Sequence, residues 1–143
     1  MNKQLECILL VDDNDSDNFL HRRVIERSGV SKKVEIAMNG REALDLLTAG
    51  EHDAVNGSKF QQPELILLDI NMPVMDGWEF LDNYQALEKY PTWNVAIVIL
   101  TTSINPADKI KTEQRLGLNS FHYKPLTPDL LRRIIETHFP GYL

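Results

Sequence analysis

Hydrophobic and polar positions along this chain follow two periods. Unbroken apolar runs occur at Ile8-Leu9-Leu10-Val11, Leu65-Ile66-Leu67-Leu68 and Val95-Ala96-Ile97-Val98-Ile99-Leu100. Short runs without polar alternation predict strands covered on both faces, as in a parallel sheet clad by helices. Elsewhere apolar residues recur at helical spacing. Phe19, Leu20, Val24 and Ile25 would form the buried stripe of a first helix, and Leu130, Leu131, Ile134 and Ile135 that of a last one. Strands are expected near 6–12, 34–38, 65–69, 95–101 and 119–123, each followed by a helix. That alternation predicts an α/β, doubly wound parallel sheet.

Helix starts are marked by capping chemistry. Thr127-Pro128-Asp129 offers a hydroxyl cap, a proline at the first helical position and an acid in the first turn. Asn105-Pro106-Ala107-Asp108 repeats that order, and Asp76 with Glu79 has capping-box spacing. The stretch Ala49–Gln62 is expected to be an enlarged surface loop, longer than most helix-to-strand connections. Lengthening such a loop costs little entropy.

Composition narrows the class. The 143 residues are 43% hydrophobic and 25% charged, enough to bury a core and too apolar for a disordered chain. A single domain over 1–143 is expected, with its core from about Leu5 to Phe139 and no attached output domain. No apolar run is long enough to span a bilayer, and the first residues lack a signal-peptide core. Cys7 is the only cysteine and reads as a buried small hydrophobe, which points to a cytoplasmic location. The net charge of −6 argues against nucleic acid as a direct partner.

The strand ends carry the chemistry. The first run stops at Asp12 and Asp13, and the second runs into Asp69. Ligands of open α/β sheets bind at the carboxyl ends of the strands. If these two strands are neighbours, three carboxylates converge, and they remain ionised together only around a cation. Oxygen ligands on a small site favour Mg²⁺. The third run ends on Thr101, and Ser120-Phe121-His122-Tyr123 leads into Lys124-Pro125.

Paired acids, then Asp, Thr and Lys, each at the tip of a successive strand, resemble the response-regulator receiver domains, the CheY-like superfamily, across essentially the whole chain. The resemblance implies a flavodoxin-like five-stranded sheet of order 2-1-3-4-5 with five helices. It implies that Asp69 accepts a phosphoryl group from a sensor histidine kinase or phosphotransfer protein. Asp13 would be a direct Mg²⁺ ligand, Asp12 would act mainly through water, and the Asn71 backbone carbonyl would join them beside Asp69. Lys124 and the Thr101 hydroxyl would neutralise the transferred oxygens, as phosphoryl transfer requires. Thr101 and Phe121 would form the switch, shifting the face of the fourth helix, fifth strand and fifth helix towards a new partner affinity. Counting back from Lys124 without a gap points instead to Thr102, whereas the apolar run points to Thr101. The Lys124-Pro125 peptide is expected to be cis, as in the family.

Other readings fit less well. A Mg²⁺-dependent phosphatase with an aspartyl nucleophile usually carries a second Asp two residues on, where this chain has Asn71. A receiver-like module that is never phosphorylated would be expected to lack one of the acids, the Thr or the Lys. Flavin or nucleotide binding would call for a Gly-rich or Ser/Thr-rich first loop, where Asp12-Asp13-Asn14-Asp15-Ser16-Asp17 is acidic. The four histidines are scattered without ligand spacing. Trp78 reads either as a shield over the site or as packing of the third helix.

Overall fold

A computed structural model describes residues 3–55, 62–87 and 95–142. The strands are β1 (Ile8–Val11), β2 (Val34–Ala37), β3 (Leu65–Leu68), β4 (Ala96–Thr101) and β5 (Phe121–Tyr123). All pair in parallel in the order β2-β1-β3-β4-β5. The helices are α1 (Asp15–Ser28), α2 (Gly40–Val55), α3 (Gly77–Gln85), α4 (Pro106–Leu116) and α5 (Pro128–His138). This is the flavodoxin-like arrangement, and its switch point lies between β1 and β3, where the chain leaves β1 in opposite directions.

The period of the strands divides the interior into two cores. Leu9, Val11, Ile66, Leu68, Ile97 and Ile99 point to one face and pack with Leu44, Leu47, Phe80, Leu81 and Tyr84 of α2 and α3. Ile8, Leu10, Leu65, Leu67, Val98 and Leu100 point to the other and pack with Ile25 of α1 and Leu130, Ile134 and Ile135 of α5. Adjacent strand residues therefore serve opposite cores, which is why the runs lack polar alternation.

The helix starts follow the capping chemistry. Thr127 accepts from the Leu130 N–H, Asn105 from Ala107, and Asp76 and Glu79 form a reciprocal capping box. The continuous strands are shorter than expected: β1 begins at Ile8, after an isolated parallel bridge between Leu5 and Ser31, and β5 begins at Phe121. Two expectations need correction. The stretch from Ala49 is not all loop: α2 continues to Val55, Gln62 donates to the Leu47 carbonyl at 3.0 Å, and 56–61 lie outside the described residues. The apolar stripe of α1 is also rotated. Ile25 is buried, but Phe19 and Leu20 are 59% and 55% exposed. The inward positions belong to Asn18 and His21 instead. The reason lies in how α1 docks: the Asn18 amide donates to the Asp12 carbonyl at 2.9 Å, so the start of α1 is tied to the end of β1 by a polar contact.

Candidate phosphoacceptor site

The β1–β3 register sets Val11 beside Leu68, so the next residues, Asp12 and Asp69, leave the sheet side by side. Both are buried, whereas Asp13 is exposed. One carboxylate oxygen from each of Asp12, Asp13 and Asp69 lies within 4.8 Å of the others. Each is a hard oxygen donor, and the grouping concentrates negative charge that a small divalent cation would relieve. The donor set fits such an ion. Asn71 lies two residues beyond Asp69, with its side chain exposed.

Lys124 enters from the end of β5. Its peptide to Pro125 is cis. The side chain is only 8% exposed, and its Nζ donates to Asp12 Oδ2 at 2.6 Å, Asp17 Oδ2 at 2.9 Å and Asp69 Oδ2 at 3.3 Å. Burial alone would depress the lysine's pKa. Hydrogen bonds to Asp12 and Asp17, with the charge of Asp69, outweigh burial and hold it above the ordinary range. The ammonium is therefore a fixed positive charge. Asp69 shifts upward, chiefly through burial and with help from Asp12, while Lys124 and the Ile70 N–H pull the other way.

The two oxygens of Asp69 are inequivalent. Oδ1 accepts from the Ile70 N–H at 2.8 Å, and Oδ2 has the long contact to Lys124. The loop after Asp69 is held close by Gly77, whose N–H donates to the Ile70 carbonyl at 2.8 Å. A Cβ at Gly77 would lie 2.5 Å from the Asp69 carbonyl oxygen and 2.9 Å from Ile70 Cα, so only glycine fits.

Thr101 closes β4 and is fully buried, and its Oγ1 accepts from the Ser103 N–H at 3.1 Å. Its carbonyl accepts from the Lys124 N–H at 2.9 Å, which binds the two strand ends together. Thr102 is exposed. Phe121 is buried at the start of β5, in the core shared with α2 and α3, and stands edge-on to Tyr123 at 5.3 Å between ring centres. Trp78 is half-buried, with the Lys111 ammonium 4.3 Å from its ring centre, so α3 and α4 meet there. Cys7 is buried and its thiol is pushed up to about 11, mainly by desolvation.

Sequence reasoning missed Asp17. It appeared as one more acid in an acidic loop, but in the structure it reaches Lys124 from the first turn of α1. The available signal was the spacing of Asn14 and Asp17: Asn14 caps α1 by accepting from the Asp17 N–H at 2.9 Å, which fixes where Asp17 stands.

A five-stranded sheet with an acidic cluster and a lysine at its switch point defines the receiver fold. The chain belongs to the response regulator receiver domain family, which it matches over residues 8–136. It is 31% identical to a chemotaxis protein CheY homologue of Campylobacter jejuni, over 90% of this chain and 88% of that one. Among solved structures it resembles the phosphorylated cyanobacterial phytochrome response regulator RcpA, with 31% identity, 94% of each chain covered and a TM-score of 0.70. It also resembles the Mn²⁺-bound form of response regulator Rcp1, with 30% identity, 96% of each chain covered and a TM-score of 0.72. The protein is accordingly a receiver of a two-component phosphorelay, a signalling protein and not a conventional enzyme. Among the described residues no helix is long and apolar enough to cross a membrane.

Proposed function

We propose that Asp69 is the phosphoacceptor of a cytoplasmic phosphorelay, loaded from a phosphohistidine of a sensor histidine kinase or phosphotransfer protein. The observation that carries this is the asymmetry of its carboxylate. Oδ1 is fixed by a backbone N–H, and Oδ2 faces the Lys124 ammonium. Oδ2 attacks phosphorus, the P–N bond to the donor imidazole breaks, and its electron pair stays on the imidazole nitrogen. Asp12, Asp13, Asp69 and the Asn71 carbonyl would hold Mg²⁺, which when bound neutralises charge on the transferred oxygens. Lys124 offsets that charge from the other side, and Thr101 offers a hydroxyl from the end of β4. Hydrolysis of the acyl phosphate by water returns the carboxylate.

The output reading is a population shift between two packings. Thr101 and Phe121 lie on neighbouring strands, since Phe121 pairs with Ile99 two residues before Thr101. A phosphoryl group that draws the Thr101 hydroxyl inward would change the space available to the Phe121 ring. Phe121 belongs to β5, and on the side of α4 and β5 Ile110 and Tyr123 are exposed, as are Ile104 and Leu118 in the loops flanking α4. Apolar groups left in water on that face favour a protein partner there.

The test is intact mass after incubation with acetyl phosphate and Mg²⁺, comparing wild type with Asp69→Asn, with beryllofluoride binding as a second probe. A Mg²⁺-dependent phosphoryl adduct on wild type alone is expected. Absence of both the adduct and the beryllofluoride complex in folded protein would sink this reading and leave a module that binds its partner constitutively.

A further inference from the structure

The three protons of the Lys124 ammonium meet three carboxylates, and these are not alike. Asp12 and Asp69 belong to the oxygen cluster suited to a cation, and Asp69 is also the proposed acceptor. Asp17 lies outside that cluster. It comes from the first turn of α1, 107 residues from Lys124 in sequence, and its carboxylate is 31% exposed. Its backbone is held by the Asn14 cap, and the next residue, Asn18, ties α1 to the Asp12 carbonyl.

We propose that Asp17 is the positioning residue for Lys124, the one carboxylate partner that keeps the ammonium in place once the site is loaded. This inference rests on the phosphoacceptor reading. In the unloaded site Asp12 makes the shortest contact and shares the work. An ion in the cluster would draw on the lone pairs of Asp12 and Asp69, and phosphorylation would replace the Asp69 carboxylate by an acyl phosphate. Both contacts weaken at the moment when Lys124 is needed against the phosphoryl oxygens. Asp12 would stay charged but share its oxygens with the ion, whereas Asp17, outside the cluster, keeps its contact to Nζ free of that competition. It holds Nζ at the mouth of the site and leaves an N–H free to turn from Asp69 to a phosphoryl oxygen. The long 3.3 Å contact is the one given up, at the least cost.

The experiment compares wild type, Asp17→Asn and Asp17→Glu by two readouts. The first is the ¹H–¹⁵N signal of the Lys124 ammonium, assigned by its loss in Lys124→Met and followed without metal and with saturating Mg²⁺ alone. The second is the rate of phosphorylation by acetyl phosphate at saturating Mg²⁺. Without metal, wild type and Asp17→Asn should both show a protected ammonium signal. With Mg²⁺ the wild type should keep it and Asp17→Asn should lose it. The variant's phosphorylation rate should fall about tenfold, with Mg²⁺ affinity changed less than about threefold, and Asp17→Glu should recover part of both readouts. The inference is overturned by an Asp17→Asn signal that survives Mg²⁺. It is equally overturned by a rate loss matched by lost Mg²⁺ affinity, which would make Asp17 part of the ion's field. The Mg²⁺-only readout needs no phosphoryl transfer. A wild type that forms no adduct would therefore refute the phosphoacceptor reading while the role of Asp17 is still decided.

Discussion

Replacing Lys124 with methionine removes the only positive charge described among four carboxylates and keeps an unbranched side chain one atom shorter. Asp12 and Asp69 are buried, so their lost contacts at 2.6 and 3.3 Å are not replaced by bulk water. Removing one partner of a buried ion pair costs about 3–5 kcal/mol. The Asp17 contact at 2.9 Å adds little to that figure, because its carboxylate is partly exposed and screened. Lys124→Met should therefore destabilise the metal-free protein by about 3–4 kcal/mol at pH 7. In urea this is a midpoint shift of roughly 1.5–2 M at a slope of about 2 kcal/mol/M. The pH dependence has a defined sign. The folded lysine's pKa is raised, so its contribution is complete below its ordinary value of 10.5 and is lost only as pH rises through the folded value. Between pH 5 and 8 its own titration gives no slope. Asp69 is raised by burial even with the lysine present, and higher still without it. A carboxyl with a raised folded pKa gains stability as pH falls. The gap between wild type and variant should therefore narrow from pH 8 to pH 5. A loss below about 1 kcal/mol, or a gap independent of pH, would refute this account of the site.

Asp69→Asn removes a carboxylate whose burial raises its pKa, and should stabilise the metal-free protein at pH 7, seen as an increase in Tm; the increase should vanish as pH falls and the wild-type carboxyl becomes protonated. Gly77→Ala drives a methyl against the Asp69 carbonyl and Ile70 Cα, both backbone, and should cost about 1–3 kcal/mol in urea unfolding; a neutral result would mean that this loop yields easily. Thr101→Ala deletes a fully buried hydroxyl that accepts from Ser103 and should cost about 1–2 kcal/mol, whereas Thr102→Ala, on an exposed residue, should stay within about 0.5 kcal/mol. Equal losses for the two threonines would contradict the burial difference between them.

What the sequence determined by itself follows from local periodicity and from groups that act on their neighbours. Three apolar runs announced strands covered on both faces, and the caps at Asp76, Asn105 and Thr127 announced helix starts, because a cap bonds a backbone N–H two or three residues away. The acids at the ends of the first and third strands were legible for a similar reason: each is the first polar residue after an apolar run. The tertiary structure decided whatever depends on distant neighbours. It turned Asn18 and His21 inward and left Phe19 and Leu20 in water, because the end of β1 offers α1 a carbonyl to bond. It buried Thr101 at the strand end and left Thr102 exposed, since the last pairing of β4 with β5 is at Thr101. It also picked Asp17 out of the acidic loop. The Asn14 cap fixes the place of Asp17 in the first turn of α1, but what Asp17 faces there is non-local: only the packing of α1 beside the end of β5 brings its carboxylate to within hydrogen-bonding distance of the lysine.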